Sequence, residues 1–328
     1  MEKIVILHTD VAPDAGEDEL DTLRQTETIA EAILSLGYDP VMLPFPMDLN
    51  ATISRLRDLH PHVVFNLVET LAGRGSLIYF STALLDFLRL PYTGCRTEAM
   101  FVTSNKPLTK KILHAEGIAT PAWITSDGVS TGSFSPGTYL MKASWEEASV
   151  GLDNDAVIEV TAPGQIKASL QQRLSKIGCD CFAEVYIEGR EFNIALLASD
   201  TGVRILPAAE MLFLNYPPDK LRLLDYRAKW IEDSFEYDNT RRSLDISPQD
   251  ANLVDRLRVI SLKCWSLFGL RGYARVDFRV DKQGNPFVLE INANPCLSPD
   301  AGFAAALDRA SIKYSAAIDD IIRDALKT

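Results

Sequence analysis

The sequence predicts an α/β protein in three parts, the first of them a parallel sheet covered by helices. Three observations carry this. Short apolar runs alternate with amphipathic helices through the first hundred residues. The middle of the chain replaces that alternation with strand candidates around a polar loop. Towards the C-terminus two alternating strands flank a tight turn, Asp281-Lys-Gln-Gly284.

Taken in order, Lys3 to His8 is a short apolar run suited to a buried strand. Leu20 to Leu36 is helical, with Leu23, Ile29, Ile33 and Leu36 at near-helical spacing and Gly37 as a stop. A strand over Pro40 to Phe45, a helix over Leu49 to Leu59, a strand over Val63 to Val68 and a helix over Ser76 to Leu90 follow, the last stopped by Pro91. Strand and helix in alternation imply right-handed crossovers and a parallel sheet. Lys106 to Glu116 reads as a helix closed by Gly117, and Ala122 to Thr125 and Tyr139 to Lys142 as strands around a Gly- and Ser-rich loop, Asp127 to Gly137. Gln165 to Ile177 is helical up to Gly178. Strands are expected at Cys181 to Ile187, Glu191 to Ala198 and Val203 to Pro207. Asn215 to Asp245 is polar and irregular, a length of connector that is usually functional or disordered. Asp250 to Leu267 is an amphipathic helix ending at Gly269; strands at Tyr273 to Val280 and Pro286 to Asn292 and a helical tail from Ala301 complete the chain. The expected parts are residues 1–95, 96–180 and 181–328.

Lys and Arg number 33 against 45 Asp and Glu, a net charge of −12 that disfavours tracking a nucleic-acid backbone. The five cysteines form no C-x-x-C pair and read as free thiols of a reducing cytosol. Ile4 to Leu7 is too short an apolar run for a signal peptide, and no stretch approaches the ~18 apolar residues of a membrane span. The expectation is a cytoplasmic protein with no membrane and no nucleic-acid partner.

The densest chemical signal is Gly272-Tyr-Ala-Arg275-Val-Asp277-Phe followed by Val288-Leu-Glu290-Ile-Asn292-Ala-Asn294-Pro295. Side chains alternate along a strand, so Arg275 and Asp277 share one face. Glu290 and Asn292 share one face too, opposite Leu289 and Ile291. Folded as a hairpin, the two strands present two carboxylates and an amide oxygen together, a hard-oxygen set suited to magnesium. The other reading of this pattern is the solvated face of an antiparallel hairpin. A second signal is Lys142 at a strand end, with a small polar loop through Ser149, Val150 and Gly151 whose backbone N–H groups can approach phosphate. Lys106, before a helix, and Lys229, in Leu224-Asp-Tyr-Arg-Ala-Lys229-Trp, can serve phosphate or stand as exposed lysines. Glu184 precedes a break between apolar strands, where a carboxylate can accept from an adenine amino group or a ribose hydroxyl, or simply end a hairpin. Neither G-x-G-x-x-G nor G-x-x-x-x-G-K-[ST] occurs.

In their order these pieces resemble the D-alanine–D-alanine ligase-like family of the ATP-grasp superfamily. The stretches that carry the resemblance are Leu90-Pro-Tyr-Thr-Gly94 with the lysine helix after it, Lys142 to Gly151, Glu184 to Glu191, Asp225-Tyr-Arg-Ala-Lys229-Trp, and Arg275 through Pro295. The resemblance implies a two-part ATP-grasp fold behind the N-terminal parallel-sheet domain. It implies that Lys106 and Lys142 bind nucleotide phosphates and that Ser149, Val150 and Gly151 cover them. Glu184, Val185, Tyr186 and Ile187 match the adenine-binding segment, Glu191 the ribose-binding glutamate, and Lys229 the lysine near the transferred phosphate. Asp277, Glu290 and Asn292 match ligands of Mg2+, with Mn2+ as an alternative, and Arg275 the arginine that steadies an acyl phosphate. Catalysis thus falls to Arg275, Lys229 and Ser149, with ATP as the nucleotide, amino acids or peptides as substrates, and a homodimer compatible with the family.

The departures concern the substrate. Glu147-Ala148-Ser149 replaces the family's Gly-Ser-Ser, Cys296 stands for the Gly of Asn-x-x-Pro-Gly, and Asn66-Leu-Val-Glu69 replaces a His-Gly. Ala301-Gly302 falls where a Ser-Leu pair holds the acceptor's carboxylate. Glu19 and Asp21 both lie near the place of the glutamate that meets the first substrate's ammonium. Ser298 and the arginines at 222, 227, 241 and 242 are replacement donors for a carboxylate. The expectation is a carboxylate–amine ligase whose acceptor is not plain D-alanine. A true D-alanine–D-alanine ligase and a non-catalytic nucleotide-binding regulator are the alternatives.

Overall fold

The computed structural model describes residues 1–12, 15–128, 135–145 and 152–327. Its N-terminal sheet is parallel, in the order β2 (Asp39–Phe45), β1 (Lys3–Thr9), β3 (Val63–Leu67). Alternation decides its two faces. Ile4, Ile6, Val63, Phe65 and Leu67 pack with α1 (Glu17–Ser35), α10 (Gly302–Arg309) and α11 (Tyr314–Leu326). Val5, Leu7, Leu43 and Val64 pack on the other side with α2 (Leu49–Leu59) and α3 (Tyr79–Leu88). A sheet buried on both faces explains why β1 and β3 read as continuous apolar runs. Each fully buried side chain of this size contributes roughly 1.5–3 kcal/mol.

The stretch after α3 holds α4 (Thr97–Ser104), which sequence periodicity does not show, and then α5 (Lys106–Ala115). Asn105 caps α5, its side chain accepting from the Leu108 N–H at 3.0 Å. The second sheet is antiparallel, in the order β4 (Trp123–Thr125), β7 (Cys181–Val185), β5 (Gly137–Ala143), β6 (Val157–Val160), with α6 (Pro163–Ile177) across it.

The third sheet runs β11 (Thr240–Ser243), β10 (Ala209–Phe213), β8 (Gly189–Ser199), β12 (Tyr273–Asp281), β13 (Pro286–Asn292), and β9 (Gly202–Ile205) pairs with β8. One face buries Phe192, Ile194, Val276, Phe278, Val288 and Ile291 under α9 (Ala251–Leu267). At the other face Ala195, Leu197 and Tyr273 join the core shared with α10, α11 and the first sheet. The segment expected to be irregular between residues 215 and 245 instead contains α7 (Tyr226–Trp230), α8 (Phe235–Asn239) and β11. These elements are too short to show a period of their own; β11 exists because β10 offers it a partner.

Candidate active site

Register places the polar side chains. Across β12 and β13, Arg275 pairs with Asn292 and Asp277 with Glu290. Across β12 and β8, Asp277 pairs with Asn193 and Arg279 with Glu191. Across β10 and β11, Met211 pairs with Arg242. Directly opposed residues point the same way, so Arg242, Glu191, Asn193, Arg275, Asp277, Arg279, Glu290 and Asn292 lie on one face. The predicted sharing of a face by Arg275, Asp277, Glu290 and Asn292 is what the ladder gives. One part of that reading is corrected. The register shifts after Asp277, so that Phe278 pairs with Val288 and Leu289 is the extra residue of a bulge. Leu289 therefore lines a cavity beside Glu290 instead of facing away from it.

Within this face Arg275 grips Asp277 with two bonds, Nε to Oδ1 at 2.7 Å and a terminal nitrogen to Oδ2 at 2.8 Å. Asn193 donates to the same Oδ1 at 2.7 Å. The Asn292 side-chain oxygen accepts from the Asn294 N–H at 2.9 Å. Burial by itself raises the pKa of Glu290, but Lys106, Lys142, Lys229 and Arg275 around it outweigh that and hold its carboxyl at about 2. Lys106 is 3.8 Å away. Two carboxylates on one rung and an amide oxygen on the next form a donor set that fits Mg2+ or Mn2+. Such ions commonly take one or two carboxylates from protein and the remainder of their shell from phosphate and water.

Three lysines approach from the second sheet and α5. Lys142 on β5 pairs with Glu184 on β7 at 3.0 Å, and Lys110 on α5 makes an ion pair with the other oxygen of that carboxylate. Lys110 also donates to Thr120 at 2.7 Å. Burial works against the charged form of Glu184, yet the two ammonium groups keep its pKa below the usual carboxylate range. Lys142 is likewise desolvated, but Glu184 and Glu290 raise it above an ordinary lysine. Glu191 is pushed up by burial against the opposing pull of Arg279, 3.2 Å away. Arg279 further donates to the carbonyls of Ile187 and Arg222 at 3.1 and 3.0 Å and to the Tyr186 hydroxyl at 3.2 Å. Lys229 lies in α7, a helix capped by Asp225 at 2.8 Å from the Ala228 N–H. Its pKa is lowered, by burial first.

Two cavities meet here. The smaller, of about 80 Å³, is lined by Lys106, Lys142, Glu184, Val185, Tyr186, Ile187, Glu191, Lys229, Asp277 and Glu290, with Leu140, Leu223 and Leu289 as apolar walls. The larger, of about 530 Å³, is lined by Arg275, Asn292 and Arg242, and by Glu19, Asp21 and Glu69 from the N-terminal part. Leu224, Lys229 and Glu290 belong to the walls of both. Ser149, Val150 and Gly151 lie outside the described residues.

Several contributors escaped the sequence reading. Lys110 sits four residues after Lys106, on the same side of α5. Arg279 and Asn193 continue the two-residue period of Arg275–Asp277 and of Glu191, a signal that would have found both. Of the replacement donors, Arg242 lines the larger cavity, while Arg227 pairs with Glu236 at 3.1 Å and Ser298 donates to Asp21 at 2.9 Å.

A sequence model described as the D-ala D-ala ligase C-terminus matches residues 138–323, more than half of the chain. The chain belongs to the D-alanine–D-alanine ligase-like family of the ATP-grasp superfamily. A D-alanine–D-alanine ligase of Aquifex aeolicus is 29% identical over 277 residues, 84% of this chain and 85% of that protein. An uncharacterized protein of Sinorhizobium fredii is 28% identical over 305 residues, 91% of this chain and 86% of its own length. The fold is that of a D-alanine–D-alanine ligase from Bacillus anthracis solved with ATP, at a TM-score of 0.72 and 21% identity, covering 99% of this chain and 97% of that one. As a member of this family the protein is an ATP-dependent carbon–nitrogen ligase with an ATP-grasp fold. Among the described residues no helix is long and apolar enough to cross a membrane.

Proposed function

We propose that the protein joins a carboxylate donor to an amine acceptor through an acyl phosphate, releasing ADP and phosphate. The acceptor is an amine other than plain D-alanine. The observation that carries this reading is the common wall. The lysine-lined cavity and the larger cavity share Lys229 and Glu290 in their walls, which supports a nucleotide in one beside a carboxylate substrate in the other.

In this reading ATP binds along the lining of the smaller cavity, which widens to admit it, its phosphates at Lys106 and Lys142, its adenine along 184–187 and its ribose at Glu191. A donor carboxylate oxygen attacks the γ-phosphorus, the bond to the β–γ bridging oxygen breaks, and ADP departs. The acceptor amine then attacks the acyl carbon, a proton is lost from nitrogen, and phosphate leaves. Lys229 and Arg275 stand where negative charge builds. Mg2+ or Mn2+, held by Asp277, Glu290 and Asn292, would supply charge neutralisation of the phosphates. Glu19 offers a carboxylate to the ammonium of an amino-acid donor; Asp21 already accepts from Ser298 and from the Cys296 thiol, at 2.9 and 3.1 Å. The names of the relatives favour D-alanine in both positions. Against that stand Ala301, which carries no hydroxyl, and Ser298, whose hydroxyl is taken by Asp21.

The test is a screen of amino acids and short peptides for ADP release with ATP and Mg2+, products being identified by mass. A peptide or amide product from a pair other than two D-alanines is the expected result. If no pair releases ADP while ATP still binds, the ligase reading is wrong.

A further inference from the structure

We infer that Arg242 is the specificity-determining residue for the acceptor, receiving a carboxylate that the acceptor carries in addition to its reacting amine. This rests on the ligase reading above. The reaction brings two substrates into the larger cavity. The donor's carboxylate is the group to be phosphorylated, so it must sit where the two cavities join, at Lys229 and Glu290. A second carboxylate needs a second cation, away from that junction. Among the described residues three basic ones line the larger cavity: Lys229, Arg275 and Arg242. Lys229 is at the junction, and Arg275 spends two of its donors on Asp277. Arg242 makes no ion pair among the described residues. Its one hydrogen bond there runs from a terminal nitrogen to the Asp300 carbonyl, at 3.1 Å.

The guanidinium is placed for this by its neighbours. β11 holds Arg242 opposite Met211, on the cavity side, and turns Arg241 to the other side. The guanidinium then reaches to the start of α10. A Cβ on residue 302 would lie 3.3 Å from its Nε and 3.5 Å from its Cζ, so Gly302 supplies the room in which the group rests. A larger side chain at 302 would push it away. The remaining N–H groups of an arginine form a planar fork that takes a carboxylate with two bonds, a geometry a lysine does not reproduce. The inference therefore separates amines that bear a free carboxylate, such as amino acids and peptides with an open C-terminus, from neutral amines and amides.

The experiment uses the full chain with ATP and Mg2+, and a panel of amino acids and dipeptides, each acceptor supplied as the free acid and as its C-terminal amide. Steady-state ADP release is measured for wild type, Arg242→Met, Arg242→Lys and Gly302→Leu. Wild type is expected to prefer acid over amide. In Arg242→Met the acceptor KM should rise by about 10- to 100-fold and the preference for acid should vanish, with the ATP KM unchanged. Arg242→Lys should recover part of the effect, and Gly302→Leu should move the acceptor KM the same way with Arg242 still present. If wild type turns over an acid and its amide equally well, or if Arg242→Met leaves the acceptor KM as it was, the assignment of Arg242 is wrong and the ligase reading stands. If no acid and no amide supports ADP release in wild type, both fall together.

Discussion

Glu290→Gln tests the electrostatics of the site most directly, because Gln keeps the shape and removes the charge. Glu290 sits among Lys106, Lys142, Lys229 and Arg275, which bring its carboxyl from 4.5 to about 2 in spite of burial. A shift of that size corresponds to about 3 kcal/mol in favour of the folded state at neutral pH. The folded value lies below the unfolded one, so this contribution is complete above pH 4.5 and drains away as the pH falls towards 2. At pH 3 about 1 kcal/mol remains, so the stability gap between wild type and Glu290→Gln should narrow by about 2 kcal/mol from pH 7 to pH 3. Urea unfolding of both proteins at the two pH values, with nucleotide and metal absent, measures the gap. A gap that is the same at both would show that the surrounding cations do not hold Glu290 ionised. On activity, the same substitution removes one of the two carboxylates that would hold a metal in the proposed function, and ADP release should fall by at least about 100-fold. Retention of wild-type ADP release in a folded Glu290→Gln protein would remove Glu290 from the mechanism.

If ATP binds as proposed, Lys142→Met should weaken its binding by about 10- to 150-fold, read by titration calorimetry, through loss of a charge-assisted contact to phosphate. Lys110→Met leaves the buried Glu184 with Lys142 alone and should cost about 3–5 kcal/mol in urea unfolding. Gly189→Ala places a Cβ 1.9 Å from the Val280 carbonyl oxygen, where β8 passes β12, and should destabilise by about 3 kcal/mol or more; an unchanged denaturation midpoint would contradict the close approach. With D-alanine as the sole substrate, phosphate release should be negligible beside that with the best acceptor of the panel; ordinary turnover at millimolar D-alanine would overturn the reading of the acceptor pocket.

The sequence by itself determined whatever depends on a short period. Alternating apolar runs and helices in the first hundred residues are enough to specify a parallel sheet, because both faces of β1 and β3 must be covered. Two-residue alternation put Arg275 with Asp277 and Glu290 with Asn292, and the ladder across the Asp281–Gly284 turn brought the pairs together. Where the period breaks, only tertiary structure decides. The extra residue opposite Asp277 turns Leu289 into the cavity, and nothing in the alternation announces a bulge there. β11 is four residues long, and Arg242 faces the cavity only because β10 pairs with that strand in one register. The same limit applies to partners distant in the chain. Glu184 lies between Lys110 and Lys142, and Asp21 takes the hydroxyl of Ser298, 277 residues away. A charge's partner is fixed by which strands and helices pack face to face, and that follows from burying the apolar sides of all three sheets at once, not from the residues beside it in the chain.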